Sequence, residues 1–260
     1  MSADRPATGR FAPDPGAAPF GRQVLAQASM ETRLLMRNGE QLLLAVVIPL
    51  IVLVGAVQGA HHVGIRFDER PVDIFTPGVF ALAVMSSSFT SLAIMTGFER
   101  RYGVLKRLGA SPLPRQGLLL GKVGALVTVL AVQLVVIGIV AALLGWEPHP
   151  GWPAAALAVV LGVAAFASLG LFLAGVLRAE ATLAVANLVY LLLLAGGGVV
   201  LPTTSYGGFG ALLSWLPSGA LGDAMRSALL DGRTDWTNLA VLLVWAAIGT
   251  ALTARTFTWE

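Results

Sequence analysis

The chain contains no cysteine, only two lysines among its 17 basic residues, and few charged residues of either sign. Without cysteine it has no disulfide framework, no thiol nucleophile and no thiolate metal site. Charged residues make up 12% of the 260 positions, whereas about 25% is usual in a soluble domain. Most of the chain must therefore lie where charge is costly, which indicates a lipid bilayer.

Apolar sequence dominates the chain: 56% of its residues are hydrophobic and the mean hydropathy is +0.79. A membrane-spanning helix needs about 20 predominantly apolar residues. The sequence therefore predicts an all-α integral membrane fold with six transmembrane helices. Their predicted bounds are about 41–60, 74–97, 117–145, 153–177, 181–201 and 237–254.

The remaining segments are polar or of mixed character. Residues 1–21 are rich in Pro, Ala, Gly and Arg and predict a disordered tail. Residues 22–40 combine helical propensity with mixed polarity and predict an interfacial helix along the inner membrane surface. Residues 202–236 hold apolar pieces too short to cross a bilayer, and 255–260 form a short tail.

The basic residues are unevenly divided between the two sides of the predicted membrane. Thirteen of the 17 fall on the side that holds the N-terminus, and the other side has only Arg66, Arg70, Arg226 and Arg233. The positive-inside rule then places both termini in the cytoplasm, for a multi-pass protein of the plasma (inner) membrane. The pI near 9.8 does not indicate a nucleic-acid partner, because the net charge is only +3 and the basic residues are dispersed.

The densest run of positive charge is FERRYGVLKRLGASPLPRQG, residues 98–117, between the second and third predicted spans. On a helix with about 100° per residue, one apolar arc collects Phe98, Tyr102, Val104, Leu105 and Leu108. Arg101 falls within that arc, and Gly109 and the prolines after it end the helix. The pattern predicts a short cytoplasmic amphipathic helix. It either docks into a cytoplasmic partner or lies on the membrane surface for topology alone.

This loop resembles the signature loop of permease subunits in the type-2 family of ATP-binding-cassette exporters. The stretch FERRYGVLKRLGASPLPRQGLLLGKVGA carries the pattern at Glu99, Arg100, Gly103, Leu105, Pro112, Gly121 and Lys122. LLMRNGEQLLLAVVIPLIVLV resembles the family's surface helix and first span, and FGALLSWLPSGALGDAMRSALLDG resembles its segment before the last span. The resemblance covers about residues 22–254. Many relatives carry acids where this chain has Arg101 and Lys106.

The resemblance implies that membrane transport and ATP hydrolysis are carried out by separate chains. Two permease copies, as a homodimer or a heterodimer with a related permease, pair around a central path among the membrane lipids. A separate cytoplasmic ATPase subunit binds ATP and Mg and also binds the loop helix. The residues that the resemblance assigns to ATPase coupling are Glu99, Arg100, Arg101, Tyr102, Gly103, Leu105, Lys106 and Leu108. It also implies short re-entrant helices on the outer face, before the last span.

No catalytic, metal or nucleotide site is predicted within the chain itself. The stretch GLLLGKV at 117–123 has three residues between its glycines and Val after its Lys, so it is not a phosphate-binding loop. His61 and His62 are adjacent and point apart, with no third ligand at a suitable spacing. The chain is therefore expected to be a transport subunit and not an enzyme, with ATP hydrolysis left to its partner.

Several polar residues fall inside the predicted spans, and they have two interpretations. Small residues repeat every four positions at Ala83, Ser87 and Ser91, which usually indicates close helix packing. Polar side chains can alternatively line a transport path. The candidates for the path are Ser87, Thr90, Ser91, Gln133, Asn187 and Tyr190.

No acidic or basic residue lies in the middle of a predicted span, which argues against a proton- or sodium-coupled carrier. The predicted function is the permease subunit of an ATP-driven exporter that moves a hydrophobic or amphipathic compound, such as a drug, lipid or glycolipid, out of the cell. The alternative is an intramembrane enzyme or a structural membrane scaffold.

Overall fold

The computed structural model describes residues 18–256 apart from 38, 64–68, 105–113 and 149–150, and apart from the side chains of 39–44, 61, 63 and 115. Within those limits the chain is helical and contains no strand. The helices are α1 (Phe20–Arg37), α2 (Gly39–Val63), α3 (Pro71–Arg101), α4 (Arg115–Leu143), α5 (Trp152–Val176), α6 (Ala179–Gly196), α7 (Gly210–Leu213), α8 (Pro217–Leu229) and α9 (Trp236–Thr256). A 3₁₀ helix, Thr203–Phe209, precedes α7.

Five of the described helices are long and apolar enough to cross a membrane: α3, α4, α5, α6 and α9. In α2 the described apolar stretch, Ala45–Ala60, is shorter. The predicted all-helical fold is therefore confirmed for the described residues, together with five helices that are long and apolar enough to cross a membrane. The first of the six predicted crossings stays a prediction.

Proline and glycine set many of the helix boundaries. Proline occupies the first turn of α3, α5 and α8, where the missing N–H has no partner to lose. Gly145, at φ +90°, ends α4, and the Trp146 amide then donates to the Ala141 carbonyl. At the start of α9 the Asp235 carboxylate accepts a hydrogen bond of 3.1 Å from the Asn238 amide.

Helices α3 and α5 form the centre of the fold. α3 is buried along nearly all of its length, and α5 packs against α3, α8 and α9. Glycine permits the closest approaches, because a Cβ on Gly249 of α9 would lie 2.2 Å from the Ser168 hydroxyl of α5. By contrast, α4 and α6 leave large apolar faces exposed, as expected for helices that meet lipid or a second chain.

The fold corrects two boundaries expected from the sequence. Phe98–Arg101 form the last turn of α3 and not the first turn of a separate amphipathic helix, because Gly103, at φ +68°, breaks the helix after Arg101. The predicted fifth span extended to residue 201, but α6 ends at Gly196. Residues 197–201 instead run irregularly against α8, where Gly198 adopts φ +70°.

Candidate functional site

Three charged side chains meet at the end of the helices where α1 packs, here named the α1 end. Lys122 of α4 is only 2% exposed, yet its Nζ lies 2.6 Å from a carboxylate oxygen of Glu99 and 3.1 Å from Glu31 Oε1. Gln27, one turn before Glu31, donates a hydrogen bond of 2.9 Å to the same Glu31 oxygen. The cluster joins α1, α3 and α4, and we name Glu31, Glu99 and Lys122 the ion cluster.

Arg100 and Arg101, the next residues of α3, reach other helices at the same end. Arg100 Nη1 donates to the carbonyl oxygens of Ala174, at 2.8 Å, and Gly175, so its charge satisfies the negative C-terminus of α5. Arg101 forms an ion pair with Glu180 in the first turn of α6. Both members of that pair are more than half exposed. The last turn of α3 is thus attached to α4, α5 and α6 together.

Tyr102 is the most exposed of the described residues expected to couple to an ATPase. Its side chain is 66% exposed and stacks on Phe98, with ring centroids 6.1 Å apart. The Arg101 guanidinium lies 5.8 Å from the Tyr102 ring centroid. Gly103 turns the chain after it, whereas Leu105, Lys106 and Leu108 lie outside the described residues. An aromatic and a cationic side chain therefore mark the point where the basic loop leaves the helices.

The middle of α3 is a six-residue π-helical segment, Ser86–Ser91. Such wide turns are rare and frequently occur at functional sites. Ser87 in this segment donates a hydrogen bond of 2.8 Å to Gln133 Oε1, and Gln133 Nε2 donates one of 2.5 Å to the Ala45 carbonyl. Gln133 is 1% exposed and joins α2, α3 and α4. This arrangement favours the interhelical interpretation for Ser87 and Gln133.

The other candidates for the path have different surroundings. Tyr190 is 9% exposed. The hydroxyl of Thr90 is buried and has no hydrogen-bond partner among the described residues. Ser91 borders a cavity of about 50 Å³ that Lys122 also lines. Asn187 lies on the exposed face of α6.

The opposite end of the helices, where α8 packs, contains a second buried charge; we name it the α8 end. Arg226 is 6% exposed and its guanidinium contacts Asp223 at 2.8 Å and the Val199 carbonyl at 2.9 Å. Thr203 donates its hydroxyl proton to the same Asp223 carboxylate. Ser218 Oγ donates a 2.8 Å hydrogen bond to the Gly197 carbonyl. These contacts hold α8 against residues 197–203.

Burial lowers the pKa of Arg226, and the Asp223 carboxylate opposes that shift. An arginine side chain does not lose its proton in proteins, so Arg226 remains a charged donor at this site. The stretch that resembles the family's segment before the last span contains both Arg226 and Asp223, but the sequence alone does not show that they pair. The resemblance also gave no role for Glu31 or Gln27. The only sequence signal for Gln27 and Glu31 is that they lie four residues apart on a helix whose other charged residues are basic. This spacing does not indicate that Lys122, 91 positions after Glu31, is their partner.

The described helices are therefore those of a multi-pass membrane protein, with an ion cluster at one end and a buried arginine at the other. No group of three metal-binding side chains occurs in the described part of the chain.

The sequence matches the model of one protein family, described as ABC-2 family transporter protein, over residues 69–255, and the chain belongs to that family. The match covers α3 to α9 and confirms the resemblance seen in the signature loop. The protein is thus a permease subunit of an ATP-binding-cassette transporter, a subunit type without an ATP-binding domain, and membership implies an ATPase partner. No curated protein matches the sequence.

Proposed function

We propose that this permease is the membrane half of an ATP-driven exporter in the plasma membrane, with six crossings and both termini in the cytoplasm. The α1 end would then face the cytoplasm and the α8 end would face outward. The distribution of the 17 basic residues supports this orientation. The attachment of the last turn of α3 to α4, α5 and α6 also supports the proposal, because a force applied by an ATPase to the loop after α3 would be transmitted to several helices at once.

The observation that carries the proposal is the exposed Tyr102 next to Arg101 at the start of the signature loop. Aromatic and arginine side chains are enriched where protein interfaces gain most of their binding energy. We assign the ATPase contact to this pair, to Gly103 and to the loop residues Leu105, Lys106 and Leu108. ATP and Mg bind to the partner subunit in this scheme.

The proposed cargo is a hydrophobic or amphipathic compound, such as a drug, lipid or glycolipid. An apolar groove of about 800 Å³ between α4 and α5, towards the α8 end, supports this class of cargo. Its lining includes Phe80, Trp146, Trp152 and Met225. Of the polar candidates for the path, Asn187 is accessible from outside a single chain, so a second permease copy packed on α6 would place it at the shared path.

The experiment that tests the coupling assignment compares two exposed aromatic residues at opposite ends of the protein. Tyr102→Glu introduces a charge beside the loop, whereas Phe209→Glu does so at the α8 end, where Phe209 is 75% exposed. We expect Tyr102→Glu to abolish co-purification of the ATP-binding-cassette ATPase partner from the same cells and Phe209→Glu to preserve it. Equal recovery with both variants would contradict the assignment. If the wild-type permease never recovers an ATPase, a structural scaffold becomes the better explanation.

The orientation has a separate test that uses reporter fusions along the chain. Reporters at residues 65 and 220 should be active outside the cell, and one at residue 110 should be active inside. The fusion at residue 110 falls in the basic loop, so its side decides whether an ATPase can reach that loop. A reversed result at any of the three positions would contradict the six-span orientation.

A further inference from the structure

Lys122 is the most deeply buried cation in the described part of the chain, at 2% exposure. Removing an ammonium group from water is costly unless opposite charges and hydrogen bonds surround it. The ion cluster meets that requirement, because two carboxylates approach Lys122 Nζ within 3.1 Å and Gln27 satisfies Glu31 further. Such a site specifies the geometry of three helices.

Backbone packing beside the ion cluster is equally tight. A Cβ on Gly121 would lie 2.8 Å from the Gln27 Cβ, and one on Gly124 would lie 3.3 Å from the Ala28 Cβ. The two glycines of α4, one on each side of Lys122 along the chain, therefore bring α1 close enough for Glu31 to reach the Lys122 side chain. The helix α1 is attached to α4 by both packing and charge.

The orientation of Glu99 changes how the signature loop is understood. The Glu99 side chain is 17% exposed and its carboxylate contacts Lys122, so it is directed towards the permease itself. Arg100 is likewise committed to the C-terminus of α5. Glu99 and Arg100 were both expected to contact the ATPase, yet Tyr102 is the side chain that projects outward.

We propose that Lys122 is a positioning residue that holds α1 and the last turn of α3 in one rigid unit, and that Glu99 acts through Lys122 inside the permease instead of at the ATPase surface. The ion cluster fixes the direction in which the basic loop leaves the helices. The role of this direction in ATPase coupling rests on the proposed function. The positions of α1 and of the start of the loop can be measured on the permease alone.

The test uses the absence of native cysteine, because two introduced cysteines are then the only labelling sites. Leu25 of α1 is 70% exposed and Tyr102 is 66% exposed, so Leu25→Cys with Tyr102→Cys accepts a nitroxide at each position. Electron paramagnetic resonance then measures the distance between α1 and the start of the loop in the full chain. A single narrow distance peak is expected when Lys122 is present.

Lys122→Met should cause loss of the narrow peak, because the two carboxylates lose their shared cation and repel each other. The double variant Lys122→Glu with Glu99→Lys keeps the same charges and should restore the peak. Arg33→Met removes an exposed cation from α1 and should leave the peak unchanged. A narrow peak in Lys122→Met would overturn the proposal.

Elution as a single monodisperse species verifies that each variant is folded before its distances are interpreted, and a cross-link between α1 and α4 verifies their close packing when Lys122 is intact. Ala28→Cys with Gly124→Cys places the two Cβ positions 3.3 Å apart, close to the range of about 3.5–4.5 Å that a disulfide requires. This pair should cross-link under oxidation when Lys122 is intact, and a folded Lys122→Met variant should still elute as a monodisperse species. If Lys122→Met is aggregated, Lys122→Gln replaces it in the distance measurement, with the same two outcomes.

A pull-down of the ATP-binding-cassette ATPase partner from the same cells separates this proposal from the coupling function. With Tyr102 restored, Glu99→Gln should retain ATPase binding, because Glu99 does not reach the partner. Loss of ATPase binding in Glu99→Gln with an unchanged distance peak would refute the positioning role and leave the proposed function standing. Failure of the wild-type permease to bind any ATPase would refute the proposed function, while the distance measurement would still decide the role of Lys122.

Discussion

Replacing Arg226 with methionine should be the most destabilising of the simple charge deletions at the α8 end. The guanidinium is 6% exposed and makes an ion pair with Asp223 as well as hydrogen bonds to the Gly198 and Val199 carbonyl oxygens. Methionine fills similar volume but leaves the Asp223 carboxylate, which is 19% exposed, without its cation. Breaking a buried pair by removing one partner costs about 3–5 kcal/mol, and we expect a loss of that order.

The measurement is unfolding of the purified permease in detergent by increasing dodecyl sulfate, followed by tryptophan fluorescence. Trp245 Nε1 donates a 2.8 Å hydrogen bond to the Trp215 carbonyl, so this pair of residues reports on the segment just before α8. The matched control is Arg233→Met. Arg233 also pairs with an aspartate, Asp231 at 2.9 Å, but it is 76% exposed, and its loss should hardly shift the midpoint.

A double variant then tests the cause of the effect. Adding Asp223→Asn to Arg226→Met removes the unpaired carboxylate, so the double variant should be less destabilised than the sum of the two single variants. Equal midpoints for Arg226→Met and Arg233→Met would refute the reasoning, because burial would then have no influence on the cost of losing the cation.

Two further predictions concern contacts between helices. Gln133→Leu removes hydrogen bonds to α2 and α3, each worth about 0.6–2 kcal/mol in a membrane protein. The amount of folded permease and the transport rate should therefore fall by the same factor. A larger fall in the transport rate would instead place Gln133 at the path. Gly249→Ala should destabilise the packing of α9 on α5 by about 1–3 kcal/mol through overpacking, with partial rescue by Ser168→Gly. Gly55→Ala, where nothing lies within 4 Å of the added Cβ, is its control in the same dodecyl sulfate unfolding assay.

Hydropathy could predict the helices because burial in lipid requires long apolar segments whatever their partners are. The predicted 153–177 and the observed Trp152–Val176 differ by one residue at each end. The end of the fifth predicted span was wrong, since the apolar residues 197–201 are used to pack α8 and not to continue α6. Hydropathy measures the preference for burial and does not distinguish lipid from protein as the surroundings.

The sites were less predictable because their partners are distant in the sequence. The loop motif identified Glu99 and Lys122 as members of one pattern, but nothing in their spacing indicates that they pair with each other and with Glu31. The helical arc that joined Phe98 to Leu108 assumed one continuous helix, whereas the turn at Gly103 interrupts it. Periodicity can assign faces only while the helix continues.

The wide turn in α3 has a consequence for the phase of that helix. In a π-helix each hydrogen bond spans five residues instead of four, so the chain advances by a smaller angle per residue. The part of α3 after Ser91 is therefore rotated relative to an uninterrupted α-helix that begins at Pro71. Glu99 contacts Lys122 in this rotated phase. If the same six residues wound as a regular α-helix, every residue after Ser91, including Glu99, would be turned about the helix axis, and the loop that follows would leave the helices in another direction.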